Sequence, residues 1–78
     1  MMKELTAEEK RWLKAVGQRV RELRIQKGYG SFEFFAWEHK ISSATIKNME
    51  HGKNATLVSL KRVLKALDVS PEEFFRGI

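Results

Sequence analysis

Apolar residues along this chain recur mainly at three- and four-residue intervals, and strand-like runs of Val, Ile and Thr are missing. That period belongs to helices that bury one face. Trp12, Val16, Val20 and Leu23 follow one another at steps of four, four and three. Ahead of them, Thr6-Ala7-Glu8-Glu9 has the form of a capping box, in which the Thr hydroxyl and the Glu9 carboxylate satisfy each other's backbone N–H. Lys10, Arg11, Lys14, Arg19 and Arg21 take the opposite surface. Lys27 falls in the last turn, where the helix dipole favours a cation, and Gly28 ends the run. The pattern predicts a first helix approaching roughly 20 residues, the upper end for globular helices.

Shorter elements follow. Gly28-Tyr29-Gly30 forms a turn, and Ser31 is the N-cap of a second helix that carries Phe32, Phe34, Phe35, Ala36 and Trp37 to about His39. Glu33 sits in its first turn. Lys40-Ile41-Ser42 is a short connection, with Ser42 as the next N-cap. A third helix spans about 43–51, with Ile46 and Met49 inward and Gly52 at the C′ position. Thr56 caps a fourth, whose core candidates are Leu57, Leu60, Val63, Leu64 and Leu67. Ser70-Pro71-Glu72-Glu73 opens a fifth with an N-cap, Pro at N1 and Glu at N3. Phe74 and Phe75 follow and are positioned to close the core. The expectation is an all-α, five-helix domain over residues 6–78, with residues 1–5 fraying as a flexible N-terminus.

Composition narrows what such a domain does. With 78 residues there is room for one modest core. The chain has no cysteine, so neither a disulfide nor a thiolate metal site is available. The opening MMKELTAEEK has no apolar signal region, and no run approaches the roughly 20 apolar residues of a membrane span. A cytoplasmic protein with no membrane association is the expectation. The net charge of +5 conceals a partition. Residues 10–65 carry thirteen Lys/Arg against Glu22, Glu33, Glu38 and Glu50, whereas both ends are net acidic. A basic middle suits a surface offered to a polyanion, and equally a mixed solvated surface.

The third helix, within "ISSATIKNMEHGKN" at 41–54, distinguishes these options. With Ile46 and Met49 inward, the 100° helical step turns Ser43, Ala44, Lys47 and Asn48 outward. Small residues at the start allow close approach to base edges in a major groove. Asn48 suits bidentate contact with adenine, and Lys47 suits guanine O6/N7 or a phosphate. Ser43 is a less selective donor and acceptor, and Ala44 suits a thymine methyl. Lys53 and Asn54, just beyond the helix, are placed for the sugar-phosphate backbone. Helices two and three, joined by a short turn, make a helix-turn-helix pattern. A polar face left to solvent fits the same residues.

From Val16 to Phe75 the chain resembles helix-turn-helix domains of the lambda-repressor/Cro type, also called the XRE type. The resemblance rests on "VGQRVRELR" at 16–24, "FFA" at 34–36, "ISSATIKNMEHGKN" at 41–54 and "LVSLKRVLKALDVSPEEFF" at 57–75. Ile46, Glu50 and Gly52 supply its I-x-x-x-E-x-G signature. The resemblance implies a five-helix fold and binding to double-stranded DNA operators, usually as a dimer. It implies base reading by Ser43, Ala44, Lys47 and Asn48, and phosphate contacts by Ser31, Thr45 and the residues after Gly52. It also implies a structural ion pair between Arg24 and Glu50. Three features depart from the pattern. The turn at Tyr29-Gly30-Ser31 is one residue longer. Phe32 stands at the phosphate-clamp position usually held by Gln, which puts that clamp in doubt. Lys40 replaces a turn glycine, which implies a strained or reshaped turn but adds a positive charge near DNA.

Two rivals bear on function. For catalysis the only histidines are His39 and His51, and no carboxylate pair, phosphate loop or metal-ligand spacing accompanies them. Neither enzyme activity nor a cofactor is expected. An interaction module, such as an antitoxin-like protein with a toxin-like partner, draws on the aromatic residues Phe32, Phe34, Trp37 and Trp12. The reading preferred from sequence is a DNA-binding transcriptional regulator, in the sense of a repressor. It acts as a weak homodimer, or one formed on DNA, through Val69, Phe74 and Phe75, with Trp12, Phe34 and Trp37 as the other candidate surface.

Overall fold

A computed structural model describes residues 4–78. Its elements in chain order are α1 (Ala7–Gln26), α2 (Phe32–Glu38), α3 (Ser43–Glu50), α4 (Leu57–Leu67) and α5 (Pro71–Arg76). The expected fraying of 1–5 lies outside the described residues for 1–3, while Glu4 and Leu5 are irregular. Both capping boxes form. Glu9 N–H donates to Thr6 Oγ1 at 3.0 Å and Thr6 N–H to Glu9 Oε1 at 2.8 Å. Ser70 and Glu73 repeat the exchange at 3.2 and 3.0 Å. Ser31 and Thr56 likewise accept from Phe34 N–H and Ser59 N–H. Ser42 does not: it occupies the N-cap of α3, but its side chain makes no cap hydrogen bond.

Four helices end in the same way. Gly28, Lys40, Gly52 and Asp68 all have positive φ, at 96°, 57°, 80° and 59°. At each, two backbone bonds run back to the helix, as in Ile41 N–H to Ala36 O (2.9 Å) with Lys40 N–H to Trp37 O (3.2 Å). This is the Schellman arrangement. The residue after the left-handed one is Tyr29, Ile41 and Val69 in α1, α2 and α4, and all three are packed against the core. Lys40 therefore does not reshape the turn. It takes the conformation a glycine would, at the steric cost of its Cβ.

The core collects Val16, Val20, Leu23, Phe35, Ala36, Ile46, Met49, Val63, Leu64, Ala66, Leu67 and Phe74. α1 packs on α3 and α4, and α2 packs on α3. Three expectations need correction. Leu57, placed in the core by its spacing, is 83% exposed at the first position of α4. Phe75 keeps about a third of its surface exposed while Phe74 is fully buried. Trp12, at the head of the α1 stripe, is half exposed and stacks on Phe75 with ring centroids 6.0 Å apart.

Arg19 also departs from the simple amphipathic picture. Its Nε and Nη2 donate to the carbonyls of Phe74 and Glu73, both at 3.1 Å, tying α1 to α5. Gly17 lies where α1 meets α3. A Cβ there would stand 2.8 Å from the Glu50 carbonyl oxygen and would also collide with that of Met49. The missing side chain sets how close the two helices come.

Candidate nucleic-acid interface

α3 is held from behind and open in front. Ile46 is fully buried and Met49 nearly so, which fixes the rotation of the helix. Ser43, Ala44, Lys47 and Asn48 are exposed on the opposite side. Thr45 lies between the two faces, half-buried. At the N-terminus, Thr45 N–H and Ile46 N–H donate to the Ser42 carbonyl at 3.0 and 3.3 Å. Ser43 N–H and Ala44 N–H have no protein acceptor among the described residues. Small side chains leave these two groups and the positive end of the dipole accessible. An α-helix with its side chains is roughly 10–12 Å across, comparable with the width of a major groove.

Behind it, Arg24 and Glu50 lock α3 to α1. Arg24 Nε donates to Glu50 Oε2 at 2.7 Å and Nη2 to Oε1 at 3.0 Å, a bidentate pair. Arg24 Nη1 donates to the Tyr29 carbonyl at 2.7 Å, so the same guanidinium also anchors the turn before α2. The two side chains are 5% and 7% exposed. Tyr29 then reaches outward to donate to Glu38 Oε2 at 2.8 Å. That hydrogen bond, with desolvation and the carboxylate's charge behind it, raises the phenol above its ordinary pKa.

The phosphate candidates divide around α3. Ser31 is exposed, and its oxygen accepts from Phe34 N–H at 3.2 Å, which leaves its hydroxyl proton for an outside acceptor. Phe32 is half-buried against the core. Its side chain packs and has no group with which to clamp a phosphate, so only its backbone N–H is available. Lys53 and Asn54 are exposed after Gly52, beside an apolar concavity of about 280 Å³. Lys40 is exposed at the other end of α3 and is grouped with Arg62 and Lys65 of α4. Among the described residues no group of three His, Cys, Asp or Glu is placed to hold a metal ion. Among the described residues no helix is long and apolar enough to cross a membrane.

The profile of the Cro/C1-type HTH DNA-binding domain matches residues 19–77, a span that takes in α2, α3 and the intervening turn. The chain belongs to this family. Within it, the chain is similar to Control protein C.BamHI of Bacillus amyloliquefaciens, with 34% identity over 58 residues, covering 73% of this chain and 72% of that protein. It also resembles the crystal structure of the restriction-modification controller protein C.AhdI from Aeromonas hydrophila. There the TM-score is 0.73 at 36% identity, over 83% of this chain and 98% of the other. Five helices with a Cro/C1-type helix-turn-helix at α2–α3 is thus the architecture of the family and of this chain.

Spacing in the sequence does not reveal Arg19, whose acceptors are carbonyls more than fifty residues away. Gly17 carries a weak signal, since a glycine inside a helix costs about 1 kcal/mol against alanine and usually has a packing reason.

Proposed function

We propose that this chain is a sequence-specific transcription regulator that reads double-stranded DNA with Ser43, Ala44, Lys47 and Asn48. The observation that carries the reading is the exposed polar face of α3, fixed in rotation by Ile46 and Met49 and clamped by the Arg24–Glu50 pair. The side chains differ in kind: Asn48 and Ser43 offer directional hydrogen bonds, Ala44 an apolar contact, and Lys47 a charge. Ser31, the Phe32 backbone, Lys40, Thr45, Lys53 and Asn54 serve to position the helix on the phosphates. Thr45, half-buried, contributes through its hydroxyl edge. Regulation follows from occupancy: a bound protein excludes polymerase from the site. Similarity to a control protein and to a protein named as a restriction-modification controller supports regulated genes of that kind.

The binding species is a homodimer. Leu57, Leu60, Leu64, Val69, Pro71 and Phe75, with Lys61 and Lys65, line an open concavity of about 480 Å³ whose surface is almost wholly apolar. Phe74, expected at this interface, is buried in the core, so Leu57 takes its place. The family assignment favours DNA over a toxin-like protein as the first partner. Selection of bound sequences from a random duplex library at two stated salt concentrations tests the function. Recovery of one near-palindromic consensus is expected. A pool that stays random at both concentrations contradicts specific reading.

A further inference from the structure

A second concavity lies between the end of α2 and the outer face of α4. It measures about 320 Å³ and is lined by His39, Lys40, Ile41, Arg62, Lys65 and Ala66. None of the exposed α3 side chains lines it. Three of its six residues are permanently cationic and none is acidic. Among the described residues the ion pairs are Arg24–Glu50 and Arg76–Glu72, so Lys40, Arg62 and Lys65 have no carboxylate partner. Arg62 and Lys65 lie three apart on α4, an arrangement that is repulsive for like charges. Lys40 joins them while holding a left-handed φ of 57°, a conformation that Gly28 and Gly52 supply without a Cβ elsewhere in the chain. The fold thus bears both charge repulsion and backbone strain here. His39 adds a third oddity. Its ring is held near Phe35 and Tyr29, at centroid distances of 4.8 and 5.7 Å, and its Nε2 is buried without a hydrogen-bond partner.

We propose that this concavity is a further phosphate-binding site, away from the reading face, in which Arg62 and Lys65 extend the phosphate contact already assigned to Lys40. A phosphate brings up to two negative charges and several acceptor oxygens to three unpaired cations. The Arg62 guanidinium presents a planar fork to two of those oxygens, and the lysines act as mobile point charges. The volume suits one phosphate group with its waters. The phosphate comes either from the DNA backbone beyond the half-site read by α3 or from a free phosphate compound. Only the first source rests on the DNA-binding reading.

The variant Arg62→Ala tests the site, since Arg62 is exposed, lies outside the apolar concavity that Lys65 also lines, and alanine favours the helix. Wild type and variant are titrated with two duplexes, one ending at the selected half-site and one extended by roughly 10 base pairs, about one helical turn. Both proteins are also melted in inorganic phosphate and in sodium chloride at equal ionic strength. The variant is expected to melt in chloride at or above the wild type, because repulsion is relieved. If the phosphate belongs to flanking DNA, the extended duplex binds wild type about tenfold or more tightly, with a log–log salt slope steeper by roughly two. The variant loses that gain and keeps its affinity for the short duplex. If the source is a free compound, inorganic phosphate raises the melting temperature of wild type but not of the variant, and duplex length has no effect. Equal losses on both duplexes, or no difference between the proteins in either assay, overturn the proposal. Should wild type bind neither duplex, the DNA reading fails by itself, and the phosphate melting comparison alone decides this one.

Discussion

Arg24 places one guanidinium against three acceptors, two on Glu50 and one on the Tyr29 backbone, at 2.7 to 3.0 Å. Neither partner can return to water without moving a helix. Arg24→Met therefore leaves a buried carboxylate uncompensated and is expected to destabilise the fold by about 3–5 kcal/mol. The urea midpoint measures this; an unchanged midpoint would mean that solvent already screens the pair. On the outer face of α3 the expectation is reversed. Asn48→Ala removes nothing buried, so the melting temperature should hold. Affinity for the selected operator should fall by about 1–3 kcal/mol, with relaxed preference at one base position, an adenine. Lys53→Ala should weaken all sequences alike and reduce the salt slope by roughly one. Titration of both variants against matched and scrambled duplexes separates reading from positioning, and equal losses for Asn48→Ala on both duplexes count against α3 as the reader. The ion pair and the exposed face of α3 were legible because chemistry and position coincide: a lone Glu on a basic helix, and small polar residues opposite Ile46 and Met49. Phe32 was legible as an anomaly only, since sequence does not say whether an aromatic ring at a phosphate position turns to DNA or, as here, into the core.

At the scale of elements, local chemistry set the helix starts. Thr6, Ser31, Thr56 and Ser70 each accept a backbone N–H with the side chain expected to do so. Helix ends were less legible where the left-handed residue is not glycine. Lys40 and Asp68 adopt that conformation because the packing of Ile41 and Val69 behind them outweighs the local preference. Leu57 shows the opposite failure: a periodic pattern marks a face, but not where the neighbouring element stops covering it. Gly17 matters between elements rather than within one. Its helix gains propensity from alanine, yet a Cβ meets the α3 backbone at Met49 and Glu50, which no rotamer change can relieve. Gly17→Ala is therefore expected to destabilise by about 1–3 kcal/mol despite the better helix former. It should also weaken operator binding, because α1 and α3 must separate and α3 carries the proposed reading face. A chemical-denaturation curve with a midpoint equal to or above that of wild type would mean that α3 shifts freely on α1.

For the whole molecule, the exposed apolar residues are unevenly spread. Trp12, Leu57, Val58 and Phe75 are exposed at the α1–α4–α5 end, while Phe34 and Trp37 stack on each other on α2 with ring centroids 6.0 Å apart. Leu57 and Phe75 of the first group line the apolar concavity together with Lys61 and Lys65, and Trp37 is flanked in sequence by Glu38 and followed by Lys40. An isologous contact needs one self-complementary patch, and burial of about 800 Å² per partner is usual for a stable pair. Leu57, 83% exposed at the rim, is the residue with most surface to lose. Two copies joined there would present two α3 helices to half-sites roughly 34 Å apart, one helical turn. Leu57→Glu should leave the monomer fold within about 0.5 kcal/mol of wild type, since little buried area is lost. It should convert two chains per palindromic duplex into one, with a loss of affinity and a footprint halved in length. Sedimentation with and without the duplex measures stoichiometry, and Trp37→Glu serves as the matched control on the other patch. If Trp37→Glu abolishes pairing and Leu57→Glu does not, the α2 aromatics form the interface. If wild type binds a palindrome as a single chain, specificity must come from one α3 helix and its flanking phosphate contacts alone.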